Sequence, residues 1–260
     1  MLEHLYNRGF RQFDTAASYG YAERSVASLV CQHEDCVVAT KVGSEFNPEM
    51  ACTLDTMIRE LERSLSLLSK IDILYLHKST PEVLSDELLF SHLDEYIQSG
   101  DIKKIGASVY GESELLQAIQ HPQIDVIQVA GCILDWSLLQ LGSRVLRKKI
   151  VCRSVFLQGL LAKGRSEIYD LPDKSVFVER LELITALSTK LGVNNGQLSL
   201  WFVLRLLGDV DVVIGSRSID SVNENLAILD REFDASLFDE VMKYGDCSYD
   251  FMNPRLWEKN

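Results

Sequence analysis

The chain has 260 residues, 47% of them hydrophobic, a size at the upper end of what one core serves and one that α/β barrels often occupy. Its 26 Lys and Arg against 38 Asp and Glu leave a formal charge of -12, which opposes non-specific binding to nucleic acid or anionic membranes and obliges any anionic ligand to find local positive charge. Six scattered cysteines (Cys31, Cys36, Cys52, Cys132, Cys152, Cys247) with no C-x-x-C pair and no secretory signal read as reduced thiols of a cytoplasmic protein, and the most apolar windows fall far short of the roughly 18 residues a membrane span needs.

Short β-branched runs alternate with helical patterns along the chain. Phe10 to Asp14 is the first predicted strand, followed by a helix over Ala22 to Gln32 and a second strand over Cys36 to Lys41. Leu54, Met57, Ile58, Leu61, Leu65 and Leu68 form one apolar helical stripe, with Thr53 placed to cap it. A third strand, Asp72 to His77, precedes a helix that Ser85 is expected to open and Gly100 to close. Strands over Lys104 to Val109 and Val126 to Ala130 flank a helix over Glu112 to Gln120. Ile150 to Val155 makes the sixth strand, and Gly164 to Lys174 reads as a long loop. Helices over Ser175 to Leu191 and Gln197 to Leu207, a seventh strand over Val210 to Gly215, and a helix over Ser221 to Leu229 complete the pattern.

Strict alternation admits an open doubly wound sheet or a closed barrel. An open nucleotide-binding sheet calls for G-x-G-x-x-G after its first strand, and Phe13-Asp14-Thr15-Ala16 stands there instead, which favours the barrel. The fold expected is therefore α/β, a TIM-type barrel, with residues 1–260 as one domain.

In such a barrel the carboxyl ends of the strands converge, so strand-terminal polar residues are candidates by position. Asp14 ends the first strand, Tyr19 follows in Asp-Thr-Ala-Ala-Ser-Tyr-Gly, Lys41 ends the second in Ala-Thr-Lys-Val-Gly, and His77 ends the third in Leu-Tyr-Leu-His-Lys. A neighbouring ammonium stabilises a phenolate and makes a tyrosine a better proton donor near neutrality; a carboxylate fixes the ammonium, and an imidazole orients a carbonyl oxygen. Taken singly each residue also has an ordinary reading: a cap, a core aromatic, a rim charge, a satisfied histidine.

In order and spacing these residues resemble the aldo-keto reductase family. The resemblance implies Tyr19 as general acid, Lys41 lowering its pKa, Asp14 paired with Lys41, and His77 positioning a carbonyl. It extends through Lys104 to Tyr110, Ile127-Gln128-Val129, Arg153 to Leu160 and Ile214 to Leu226. By that resemblance Ser108 and Gln128 would meet the nicotinamide carboxamide; Arg153, Ser154 and Gly159 would border the ring and pyrophosphate; Gly215, Ser216 and Arg217 would meet the adenosine phosphate; and Ser221, Glu224 and Asn225 would hold the adenine and its ribose. A Gly-Ser-Arg-Ser turn opening a helix also offers N-H groups, hydroxyls and a guanidinium to an anion, so Arg217 favours NADP(H), with NAD as the alternative.

Two departures accompany the resemblance. Family members begin with a hairpin and a first strand ahead of a helix that Met1 to Arg8 matches, so the barrel is expected to be incomplete at its N-terminus, with seven strands and two open edges; a rearranged closure, another chain such as a second copy in a homo-oligomer covering the edges, and a gap beside the nicotinamide are the alternatives. Val109 stands where many members carry Asn.

The implied activity is NADPH-dependent reduction of an aldehyde, ketone or sugar-like carbonyl. The rival is a cofactor-binding or regulatory barrel with little turnover. A Schiff-base aldolase using Lys41 is a further class, whereas the His-x-His of a metal hydrolase is missing from His4, His33, His77, His92 and His121, and no metal is expected. Trp136 and Trp201 are expected to be packing groups, and Cys132 and Cys152 small buried thiols.

Overall fold

The computed structural model describes residues 1–44, 53–143, 148–161, 169–208, 210–243 and 249–259. Its elements run α1 (Leu2–Asn7), β1 (Gln12–Asp14), α2 (Ala22–Val30), β2 (Val37–Val42), α3 (Leu54–Leu68), β3 (Ile73–Leu76), α4 (Pro81–Leu84), α5 (Glu87–Ser99), β4 (Ile105–Val109), α6 (Glu112–Gln120), β5 (Ile124–Ala130), α7 (Ser137–Ser143) and β6 (Lys149–Arg153). The remainder is β7 (Tyr169–Asp170), α8 (Lys174–Leu191), α9 (Asn195–Leu207), β8 (Asp211–Val212), α10 (Ile219–Leu226), α11 (Ala235–Met242) and β9 (Glu258–Lys259). Among the described residues seven parallel strands hydrogen-bond in the order β1-β2-β3-β4-β5-β6-β8. Each of the seven coincides with one of the runs picked out in the sequence.

The chain divides into a first compact unit, Met1–Gln128, and a second made chiefly of the residues from Val129 onward. In the first, every residue of β3 and β4 is buried, the signature of parallel strands covered on both faces. The register is tight enough to require glycine at one place: a Cβ on Gly106 would stand 2.4 Å from Tyr75 Cδ1 and 3.0 Å from the Val126 carbonyl oxygen. At the opposite end of the strands Asp72 pins the layers, accepting from Val38 N at 2.8 Å and pairing with Lys103 Nζ at 2.6 Å.

The helices follow from local chemistry. Thr53 caps α3 by accepting from Thr56 N; Met57, Leu61 and Leu68 are its buried apolar positions, and Ser69 ends it at φ 62°. Ser85 does not open α5. Asp86 does, its Oδ1 accepting from Leu88 N at 3.1 Å and Leu89 N at 3.0 Å, while Ser85 closes the one-turn helix α4. A carboxylate serves two orphan N-H groups and complements the positive helix end, which a serine hydroxyl does less well. Gly100 closes α5 at φ 85°.

In the second unit Trp136 packs edge-on against Phe202 at 4.9 Å and Phe177 against Phe251 at 5.5 Å, with Trp201 against Phe233 at 5.2 Å. Both tryptophans are packing groups. Burial pushes the Cys132 thiol up to about 12 and raises Cys152 as well, so both remain neutral, inert thiols at pH 7; Cys52 and Cys247 lie outside the described residues. Of the expected loop 164–174, residues 164–168 lie outside the described chain, β7 pairs antiparallel with β9, and α8 begins at Lys174. The last predicted helix starts earlier than its apolar pattern, at Ile219, because Ser218 caps it, and it passes into a 3-10 turn over Ala227–Asp230.

Candidate active site

Strand register alone assembles the first part of the site. Asp14 pairs with Ala39, Lys41 lies two residues on, Lys41 pairs with Tyr75, His77 lies two residues on, Tyr75 pairs with Gly106, and Ser108 lies two residues on. Side chains alternate along a strand, so Asp14, Lys41, His77 and Ser108 share one face at one end of the sheet. Tyr19 enters from the loop after β1. That loop stays bonded to β2 through Thr15 N to Ala39 O at 2.8 Å and Ala17 N to Lys41 O at 3.0 Å, then turns as Tyr19 N donates to Ala16 O.

Lys41 is 2% exposed, and a buried ammonium needs partners. It donates to Asp14 Oδ1 and, at 2.9 Å, to Thr15 O. The other Asp14 oxygen accepts from Gln128 Nε2 at 3.0 Å. Lys41 Nζ stands 5.3 Å from the centroid of the Tyr19 ring, whose edge meets His77 at 5.9 Å and 85°. Tyr19 itself is 50% exposed, which puts a phenol at the boundary between solvent and a buried charge. Of the six residues expected here, five make one cluster. The sixth, Ser108, is joined to the end of β3 by Ser79, whose Oγ accepts from Ser108 N at 3.0 Å and donates to Leu76 O at 2.9 Å.

Ser79 was not singled out in the sequence. It is fully buried, so Ser79→Ala is expected to cost about 1–3 kcal/mol by stranding Ser108 N, measured by denaturant unfolding; unchanged stability would mean that water replaces the hydroxyl. Glu23 and Glu60 were also missed. Glu23, 2% exposed, accepts from the hydroxyls of Thr40 and Ser64 at 2.7 Å each, bracing β2 beside Lys41. Its signal was legible: a charge in register with Val26 and Val30 on the apolar stripe of α2. Glu60 accepts from Gly43 N at 2.7 Å, and burial raises its carboxyl above the usual range.

The remaining expected residues belong to the second unit. Arg153 Nη1 donates to Ser154 Oγ at 3.2 Å, and Ser154, Leu157 and Gln158 hold positive φ of 61°, 44° and 51°, with Gly159 at 90°. Such backbone costs about 1 kcal/mol or more per non-glycine residue and persists only where neighbours enforce it; here Ser199 Oγ does so by donating to Val155 O at 2.7 Å. At α10 the Ser216 hydroxyl accepts from Ser218 N and the Ser218 hydroxyl from Ser221 N, so those two backbone donors serve the turn itself. Arg217 in this turn is exposed and has no carboxylate partner among the described residues. Ser221, Glu224 and Asn225 fall at i, i+3 and i+4 on one face of α10, whose buried residue is Val222. Glu224 is committed to α9, accepting from Asn194 Nδ2 at 3.0 Å.

Each unit by itself offers groups of a kind a dinucleotide takes: in the first, buried Ser108 and a buried Gln128 that donates to Asp14; in the second, an exposed guanidinium at a helix start with no carboxylate partner among the described residues. Among the described residues no helix is long and apolar enough to cross a membrane, and no group of three or more His, Cys, Asp or Glu could hold a metal ion.

A D-threo-aldose 1-dehydrogenase from a Pseudomonas species is 28% identical over an alignment 287 positions long, gaps included, that covers 93% of this chain and 85% of the relative. An aldo-keto reductase from Bacillus halodurans, in its holo form, matches with a TM-score of 0.74 at 20% identity over 94% of this chain and 86% of that one. An aldo-keto reductase from Klebsiella pneumoniae in complex with NADPH matches at 0.70 and 19% identity, over 95% and 84%. These likenesses establish the α/β barrel-type fold expected from the sequence. The aldo/keto reductase family matches residues 1–245, and the chain belongs to that family.

Proposed function

We propose that the chain, acting as one domain, is an NADPH-dependent reductase of an aldehyde, ketone or sugar-like carbonyl in the cytoplasm. The observation that carries this reading is the buried Asp14-Lys41 pair with the Tyr19 ring beside the ammonium. The bound nicotinamide supplies a hydride; the protein's own residues handle the proton. Tyr19 gives its phenolic proton to the developing alkoxide, Lys41 stabilises the phenolate that remains, Asp14 holds Lys41 in place, and His77 donates to the carbonyl oxygen. The name of the Pseudomonas relative, an aldose dehydrogenase, supports a sugar-like carbonyl.

Ser108, Arg153, Ser154 and Gly159 line the nicotinamide and pyrophosphate in this reading, and Gly215, Ser216, Arg217, Ser221, Glu224 and Asn225 the adenosine end. Loss of NADPH absorbance across a panel of aldehydes and aldoses tests it. Quenching of intrinsic fluorescence by NADPH with no turnover on any substrate would replace it with a cofactor-binding role. Arg217→Ala is expected to weaken NADPH binding about tenfold or more and to leave NADH binding unchanged, because a charge-assisted hydrogen bond is worth about 1.5–3 kcal/mol. An equal loss for both nucleotides in fluorescence titration would remove Arg217 from phosphate recognition.

A further inference from the structure

We propose that the cleft between α5 and the end of α6 is a binding site for a linear aliphatic polyamine, whose charged ends meet Glu87 and Asp94 while its methylenes lie on the stacked rings of Phe90 and His121. None of the residues assigned to carbonyl reduction or to the nucleotide lines this cleft, and the inference does not depend on the reductase reading.

The cleft has a volume of about 460 Å³, which is ample for a small molecule. One wall is a single face of α5, because Glu87, Phe90, Ser91 and Asp94 stand at i, i+3, i+4 and i+7. The two carboxylates therefore start about 10 Å apart along the helix axis, seven residues at about 1.5 Å each, with an aromatic ring and a hydroxyl between them. Neither carboxylate has a cationic partner among the described residues. Phe90 is 3% exposed and stacks on His121 at 4.0 Å and 30°. His121 Nδ1 accepts from Gln123 N at 3.3 Å, and burial, followed by the charge of Lys148, holds the imidazole below its ordinary pKa. The ring is thus neutral at pH 7 and does not repel a cation. Lys148 itself is spent on the His121 and Ile124 carbonyl oxygens past the end of α6. The corner beside the cleft is built in advance: Gln117 Nε2, from α6, donates to Pro81 O at 3.1 Å and to Ser85 Oγ at 2.8 Å, which ties α6 to α4.

The spacing of the charges decides the class of ligand. A compact divalent ion gathers its oxygens around one point at about 2.0–2.6 Å, which two carboxylates two helical turns apart do not offer. A linear polyamine places one ammonium at each carboxylate and lays its methylenes across the Phe90 and His121 rings, and an ammonium near those rings gains a cation-π contact as well. The formal charge of -12 draws any polycation toward the chain, so diffuse attraction is the competing explanation. Diffuse attraction has no preference for Glu87 and Asp94 over other carboxylates.

The experiment is isothermal titration calorimetry of spermidine into the full chain, free of nucleotide, at about 0.15 M salt, where attraction between distant surface charges is largely screened. Saturation at one spermidine per chain is expected, with butylamine, which carries a single ammonium, binding at least about tenfold more weakly. Glu87→Gln and Asp94→Asn are each expected to weaken spermidine about fivefold or more. Glu87 is exposed, so its variant folds and carries the test if Asp94→Asn does not. Glu182→Gln, which removes the same charge from the exposed face of α8, should leave the Kd within about twofold. Equal weakening by Glu182→Gln, or displacement of spermidine by magnesium at equal concentration, would reduce the effect to diffuse attraction and overturn the proposal. Failure of spermidine to saturate the chain overturns it as well, and saturation by an oligolysine peptide alone would assign the cleft to a basic protein segment instead. Every reading is taken without nucleotide or carbonyl, so the outcome stands whether or not the chain reduces one.

Discussion

Tyr19→Phe is expected to lower kcat for carbonyl reduction by at least about 100-fold and to leave NADPH affinity within about twofold. The substitution removes one oxygen and keeps the ring, so the edge contact with His77 at 5.9 Å and the ammonium over the ring at 5.3 Å both survive. Tyr19 is half exposed and the ring is kept, so folding stability should move by less than about 1 kcal/mol. What disappears is the proton held beside a buried ammonium. Single-turnover reduction with saturating NADPH isolates that step, since KM and product release drop out. Wild-type rates in the variant would show that water, not Tyr19, delivers the proton, and the assigned mechanism would then be wrong although the fold and family stand.

Most of the architecture could be read along the chain because it depends on local pattern. Parallel strands buried on both faces are runs such as Ile73–Leu76 and Ile105–Val109, and runs of that kind need no knowledge of their partners. The site was legible for a related reason. Asp14, Lys41 and His77 each end a strand, and in a parallel sheet the ends of successive strands meet whatever the helices between them do.

The features that escaped are those whose meaning lies in a partner far away in sequence. Gln128 reaches an aspartate 114 positions earlier, Ser64 and Thr40 converge on Glu23 from separate elements, and Ser79 bridges two strands. No periodicity records such pairings. The error at Ser85 has a different origin: two adjacent capping residues compete, and the choice of Asp86 follows from a carboxylate's capacity to serve two N-H groups at once. At Arg217 the expected turn is present, but its hydroxyls satisfy its own backbone, so two of the N-H groups that the sequence offered to an anion are already used.

Lys41→Met separates what the ammonium does for the fold from what it does for the chemistry. The lysine side chain is 3% exposed and that of Asp14 14%, so the substitution leaves a nearly buried carboxylate with its counter-charge gone. Breaking such a pair from one side costs about 3–5 kcal/mol, and the residual exposure of Asp14 places the expected loss toward the lower end. Adding Asp14→Asn removes the stranded charge while keeping an acceptor for Gln128 Nε2, so the double variant is expected to recover most of the lost stability in denaturant unfolding. Its kcat should stay depressed by at least about 100-fold, because a neutral methionine gives the Tyr19 phenolate no stabilisation. A double variant that regained activity together with stability would mean that the ammonium serves only to neutralise Asp14. A single variant as stable as wild type would mean that Asp14 is already well solvated. Stability restored without turnover is the outcome that follows from a lysine whose charge is spent on the phenol, with the aspartate present to make that charge tolerable inside the sheet.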